Sequence, residues 1–311
     1  MTKFGLQIPN FSFGGPDSEI FDKVVELAQT AEQTGFDSVW VMDHFYQLPP
    51  LGGPDMPMLE SYTILGALGA RTERVKLGAL VGGVTYRNPA HVAKAATTLD
   101  VITGGRAICG LGAAWFDVEH KGLGWDFPPA GERLSRLDEA VQICKAMFTE
   151  ESPSFDGKYY QIKNARNVPR PIQSGGIPIM VGGGGEKRTL RTVARYADMC
   201  NLFGDAETLH HKFDVLRRHC EDAGRPYEEI TRSRLATMVL TDSAEQTEAT
   251  NKMLASLPAS RASAAFNVGS EKEILTQIDE LEAAGVQYFI FNMPLSSAEM
   301  VRRAGEMLHG R

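Results

Sequence analysis

IPIMVGGGGEKRTLR, residues 177–191, joins an apolar run to four successive glycines and then to a charged segment of helical composition. Residues 177–181 read as a buried strand, and the helix is expected to start at once with Glu186, Lys187 and Arg188. A strand that passes through a tight turn directly into a helix is half of a βαβ unit. Working outward, the same alternation recurs, with candidate strands at 4–8, 38–43, 75–81, 106–112, 177–181, 198–203, 234–240 and 287–292. Eight strands interleaved with helices predict an α/β fold of the (β/α)8 type, the TIM barrel.

The helical segments agree with this. Residues 18–34 place Phe21, Val24, Val25, Leu27, Ala28 and Ala31 on one stripe and stop at Gly35, a good residue just past a helix end. Capping-box patterns open three later helices, as Ser243 to Gln246, Ser270 to Glu273 and Ser296 to Glu299. Early strand starts, at 4, 38, 75 and 106, are evenly spaced, but the next is delayed to 177. An insertion after strand 4, at about 150–176, is therefore expected, with a hairpin at 154–162 around Asp156-Gly157. A second insertion follows strand 7, at about 241–270, with helices near 243–257 and 270–284. The linker between them, 258–269, reads as a mobile segment able to act as a lid over the barrel mouth. No internal repeat or low-complexity tract interrupts residues 1–311, so one domain is the simplest account.

Composition narrows the function. Lys and Arg total 32 against 39 Asp and Glu, a net charge of −7, which argues against a nucleic-acid footprint or a polybasic membrane anchor. The opening MTKFGLQIPNF is not a signal sequence, and no apolar run approaches the ~18 residues of a membrane span. The chain reads as cytoplasmic. Cys109, Cys144, Cys200 and Cys220 form no CxxC pair and read as buried thiols. The seven histidines include no HxH or HExxH, His210-His211 reads as a solvated helix face, and no metal site is expected. A GxSxG nucleophile elbow is also missing. A small-molecule substrate fits best.

Barrel active sites lie at the C-terminal ends of the strands. There Asp43-His44 follows the apolar run SVWVM, either as an acid–base pair at the mouth or as a capped turn. The run LVGGVTYRNP, 80–89, sets Gly82-Gly83 at the end of strand three, where glycine permits either a bulge beneath a flat ligand or a sharp turn. In GLGAAWFDVEH, 110–120, Gly112, Ala113 and Ala114 leave room for a planar group, and Trp115 offers a pocket wall. It is not a dinucleotide fingerprint, since no GxGxxG opens a first βα unit. Gly182, Gly183, Gly184 and Gly185 exceed what a tight turn needs and read as a phosphate site of backbone N–H groups, without the Lys-Ser/Thr of a Walker loop.

Seven stretches in order carry a resemblance that covers nearly the whole chain: FGLQIPNF, FDSVWVMDHF, LGALVGGVTYRNPAHVAK, GRAICGLGAAWFDVEH, FPPAGERLSRLDEA, FDGKYY and PIMVGGGGEKRTLRTVARYADMCN. The sequence resembles the bacterial luciferase-like superfamily, most closely its coenzyme F420-dependent oxidoreductases. The resemblance implies a deazaflavin or flavin lying across the barrel mouth, with its phosphate near the fifth strand. It implies that Asp43 contacts the ring system and His44 faces substrate near the hydride-carrying carbon. It further implies a non-proline cis peptide in a bulge formed by Leu80, Val81 and Gly82 behind the ring. Ala113, Ala114 and Gly182–Gly185 then line the phosphate and side-chain region. The sugar-phosphate dehydrogenases of this group carry a glutamate after the fourth-strand glycines, where this chain has Trp115, so a less polar substrate than glucose 6-phosphate is expected. Hydride transfer with coenzyme F420 is the expected chemistry, with His44 or water moving the proton. The alternatives are an FMN-dependent luciferase-like monooxygenase and a non-catalytic cofactor-binding barrel. A homodimer is the default assembly.

Overall fold

Strand β1 (Lys3–Ile8) is buried along all but its first residue, and β2 (Ser38–Val41) along its whole length. Strands buried on both faces belong to a parallel sheet covered by helices outside and side chains inside. A computed structural model describes residues 2–255 and 266–311 and has this arrangement. Eight parallel strands close on themselves: β1, β2, β3 (Lys76–Ala79), β5 (Ala107–Gly112), β8 (Ile179–Gly182), β9 (Met199–Leu202), β10 (Thr231–Leu240) and β12 (Tyr288–Asn292). Pairing of β12 with β1 closes the ring. The expected (β/α)8 barrel is therefore present, with strand limits shifted by at most three residues.

Two layers of apolar packing hold it. Trp40, Ile108, Met180, Met199, Tyr288 and Ile290 fill the lumen beneath Leu80. A larger outer cluster lies between the strands and the helices. In α1 (Ile20–Gln33), Val24, Val25, Leu27, Ala28 and Ala31 are buried as the stripe requires, whereas Phe21 is only partly covered. Helix α2 (Ser61–Gly69) follows β2, and α3 (Pro89–Thr103) begins with Asn88 capping the Ala90 N–H at 2.9 Å. After β5 come a short α4 (Asp117–Leu123) and a long α5 (Ala130–Thr149).

The insertion after β5 contains the expected hairpin, β6 (Phe155–Asp156) against β7 (Gln161–Ile162). Helix α6 (Thr189–Tyr196) starts three residues later than the sequence suggests. Its entry is a wider turn, in which the Leu190 N–H donates to the Gly185 carbonyl at 3.0 Å and leaves Glu186–Arg188 outside the helix. Helices α7 (Ala206–Ala223), α8 (Ala244–Ala255), α9 (Glu271–Ala283) and α10 (Ala298–His309) complete the outer layer.

The capping boxes divide. That of Ser270 and Glu273 is complete. Ser243 accepts from the Gln246 N–H at 3.3 Å, while Gln246 reaches the Asp242 N–H instead of the cap. At the last helix the frame is off by one: Ser297 is the cap, because Ser296 is used to hold the Met293 carbonyl at 2.6 Å. The segment expected as a lid, 258–269, lies mostly outside the described residues. Its end, β11 (Phe266–Gly269), is no loop but a further parallel strand on Thr237–Leu240. Among the described residues no helix is long and apolar enough to cross a membrane, and all four cysteines are buried and unpaired.

Candidate active site

Strand β3 stops at Ala79, earlier than its apolar run suggests, because the chain turns out of the ladder at Leu80. The Leu80–Val81 peptide is cis, and Gly82–Gly83 then re-enter the sheet as β4 against Leu111 and Gly112. Gln7, buried inside the barrel, donates to the Leu80 carbonyl at 3.2 Å. The bulge presses the Val81 side chain between two neighbouring strands. A Cβ on Gly112 or on Gly182 would each meet a Val81 methyl at 2.7 Å, so the glycine in both strands makes room for the bulge. Gly82 lies behind this surface, with Gly110 and Asp43 around it.

Above the bulge is a cleft of about 340 Å³ at the C-terminal ends of the strands. Leu80, Val81, Ala113, Leu134, Phe203 and Leu235 give it a largely apolar wall, and Asp43, His44, Tyr86, Thr189 and Asn201 are its polar groups. Of the residues singled out in the sequence, Gly112, Ala114, Trp115, Gly182 and Gly183 also line it. Gly82, Gly184 and Gly185 do not. The Gly184 and Gly185 N–H groups lie past the rim and donate to no group among the described residues.

Asp43 sits at the end of β2 and is buried. Its Oδ1 accepts from the Ser61 hydroxyl at 2.6 Å and from Arg87 at 3.0 Å, and its Oδ2 from the Gly83 N–H at 3.0 Å and Arg87 at 2.8 Å. Arg87 also reaches Glu60. Burial by itself would lower the Arg87 pKa, but the two carboxylates outweigh it and hold the guanidinium above its usual value. Asp43 thus clamps the bulge through Gly83, with its carboxylate lone pairs engaged.

His44 is next in the chain and 12% exposed at its side chain. Trp115 and Phe116 flank it edge-on, with ring centres 5.9 and 5.8 Å away. Its Nδ1 faces Glu119 Oε1 at 2.9 Å. Glu119 is wholly buried on α4 and was not distinguished in the sequence. It accepts the Phe45 N–H at 2.7 Å and the Tyr46 N–H at 3.3 Å on Oε2, and the Tyr86 hydroxyl on Oε1. Burial pushes the Glu119 carboxyl up, but hydrogen bonds from His44, Tyr86 and Phe45 outweigh it and hold it below the usual carboxylate range. The Tyr86 phenol is pushed up, first by burial and then by Glu119. Only the Gly-broken brevity of DVEHKGLG, too short for a barrel helix, hinted that this stretch serves a site.

A carboxyl whose folded pKa lies below its unfolded one stabilises the fold while ionised, and that contribution fades as pH falls through the folded value. Glu119→Gln removes it. The variant is expected to lose less stability than the parent between about pH 6 and about pH 3. Urea midpoints followed by circular dichroism check this, and parallel slopes for the two proteins would refute it.

A closed barrel with an apolar slot at its mouth and one buried acid–base cluster on the slot's wall is a small-molecule site of the kind (β/α)8 enzymes build from their βα loops. The luciferase-like monooxygenase family model matches residues 2–267, and the chain belongs to that family. The F420-dependent glucose-6-phosphate dehydrogenase of Intrasporangium calvum is 40% identical over 200 residues, 63% of this chain and 55% of that protein. That of Nakamurella multipartita is 35% identical over 232 residues, 73% of this chain and 65% of that protein. The chain thus spans less than two thirds of the length of these relatives. An F420-dependent secondary alcohol dehydrogenase, solved with an F420–acetone adduct, has the same fold, with a TM-score of 0.81 at 20% identity over 98% of each chain.

Proposed function

We propose that the chain is a coenzyme F420-dependent oxidoreductase that transfers a hydride between the deazaflavin and a small organic substrate. The observation that carries this reading is the slot itself, whose apolar walls and Leu80–Val81 floor suit a flat ring, with His44 at its side. The names of the sequence relatives supply the cofactor. When bound, F420 would accept or deliver the hydride at its ring.

Each residue then has a task. Leu80 and Val81 back the ring, with Gly82 shaping the bulge and Asp43 contacting the ring edge while it anchors Gly83. Gly112, Ala113, Ala114, Gly182 and Gly183 keep the slot open, and the free N–H groups of Gly184 and Gly185 suit a phosphate. His44 moves the substrate proton. Trp115, 61% exposed, forms the outer wall of the substrate pocket.

Among the described residues, those lining the slot include no Lys or Arg. A phosphorylated sugar would find no counter-charge among them, so the proposed substrate is uncharged and weakly polar, a ketone, alcohol or activated alkene rather than glucose 6-phosphate. Four unpaired buried thiols suit the reducing cytoplasm. Exposed Val101 and Ile102 at the end of α3 suit a homodimer.

Titrating the purified apo-protein with F420 and, separately, with FMN at matched salt tests the cofactor. Tighter binding of F420 is expected. Preference for FMN would instead favour a flavin monooxygenase, and binding of neither a non-catalytic barrel.

A further inference from the structure

We propose that Glu119 is a positioning residue that fixes the tautomer of His44, so that Nε2 reaches the cleft as a proton acceptor. The proposal rests on the reading of His44 as the proton-transfer group. Its argument is one of counting donors and acceptors. An ionised carboxylate has only acceptors, and Glu119 meets four groups from three sides: the Phe45 and Tyr46 N–H groups on Oε2, and the Tyr86 hydroxyl and His44 Nδ1 on Oε1. The two backbone N–H groups cannot do anything but donate. Because the Oε1 of the ionised carboxylate can only accept, His44 Nδ1 must carry the proton in the neutral ring, and Nε2 is left with its lone pair.

The surroundings keep this arrangement from reversing. No Lys or Arg is hydrogen-bonded or ion-paired to Glu119 among the described residues; its charge is met by neutral donors and by His44. A proton taken up at Nε2 leaves the Nδ1 contact with Glu119 Oε1 at 2.9 Å in place, so the ring keeps its orientation as the proton arrives. Other titratable and charged groups around the cluster are committed elsewhere. His120, stacked on Tyr86 at 4.9 Å, spends Nδ1 on the Phe116 carbonyl and Nε2 on Thr85. Asp43 is engaged with Arg87, Ser61 and Gly83.

The same geometry dictates what Glu119→Gln does. Phe45 and Tyr46 still present two N–H groups where Oε2 lies, so the amide oxygen must take that place and the NH2 must face His44. Its N–H then donates to Nδ1, and the proton of the imidazole moves to Nε2. Glu119→Gln thus inverts the polarity of the histidine toward the cleft without removing the ring or changing the shape of the side chain. A histidine held in the wrong tautomer loses most of its power as a base, as the Asn variant of the serine-protease triad carboxylate illustrates.

The test is long-range 1H–15N NMR of the imidazoles in the cofactor-free protein at about pH 8, above the ordinary histidine range, with the His44 signal assigned by its loss in His44→Ala. The Nδ1–H pattern is expected for the parent and for Tyr86→Phe, and the Nε2–H pattern for Glu119→Gln. In parallel, Glu119→Gln is expected to lower kcat by ~10²–10⁴-fold, with KM and F420 affinity little moved. An Nε2–H histidine in the parent would overturn the proposal even if Glu119→Gln failed to fold, as would an unchanged tautomer in a folded Glu119→Gln. Failure of the parent to bind or turn over F420 would instead defeat the oxidoreductase reading, and the NMR result would stand apart from it.

Discussion

His44→Ala is expected to cost ~10²–10⁴-fold in turnover, the usual contribution of a positioned acid or base, while the affinity for F420 barely changes. The separation follows from where the side chain is. His44 stands on the cleft wall beside Trp115 and Phe116, whereas the floor is built by Leu80 and Val81, and the N–H groups without a partner among the described residues are at Gly184 and Gly185. Removing the imidazole frees one Glu119 oxygen from one partner only. Tyr86 stays on Oε1, and Phe45 and Tyr46 stay on Oε2, so the loop after β2 keeps its anchor. Single-turnover loss or gain of the reduced-cofactor absorbance, set against a fluorescence titration of the same protein, reads both quantities. Unchanged turnover would remove His44 from proton transfer. A parallel loss of affinity would make it a binding residue instead.

Periodicity and punctuation revealed the barrel because they are local. Apolar runs of strand length, glycine turns and an amphipathic stripe such as that of α1 depend on neighbours within one βα unit, and each unit repeats the message. What escaped was decided between units. Strand β3 ends before its apolar run does because Gln7, 73 residues away, holds the Leu80 carbonyl. Phe266–Gly269 reads as linker but finds the free edge of an overlong β10. Ser297 displaces Ser296 as a cap through a bond that Ser296 makes elsewhere.

The site divides along the same line. Asp43, His44 and the glycine runs stood out because they interrupt apolar strands at their C-terminal ends. Leu80 and Val81 are indistinguishable from other strand residues and were reached only through the resemblance to the luciferase-like superfamily. Glu119 was hidden because a buried carboxylate has no signature of its own: Asp117, two residues earlier, is of the same type and lies at the surface in an ion pair with Lys121. Only the meeting of α4 with the loop after β2 separates the two.

Asp43→Ala is expected to destabilise the protein by about 3 kcal/mol, the low end of the range for removing one partner of a buried ion pair, and to weaken F420 binding with it. The Arg87 side chain is 9% exposed and that of Asp43 1%. Loss of the carboxylate leaves a buried guanidinium with Glu60 alone, whose side chain is 36% exposed, and leaves the Ser61 hydroxyl and the Gly83 N–H without their acceptor. The Gly83 bond ties β4 to β2, so its loss frees the bulge that forms the slot's floor, and binding suffers through the floor as well as through any direct contact. Adding Arg87→Met to Asp43→Ala removes the stranded charge. The double variant is therefore expected to recover part of the lost stability, since a buried charge without its partner costs more than an apolar side chain in its place, but not the affinity, because Gly83 still lacks its anchor. Urea unfolding and F420 titration of the three proteins decide the matter. If Asp43→Ala unfolds within about 0.5 kcal/mol of the parent, as an ordinary surface substitution does, the clamp has no structural weight. If the double variant binds F420 as the parent does, Arg87 and not the Gly83 anchor governs the floor.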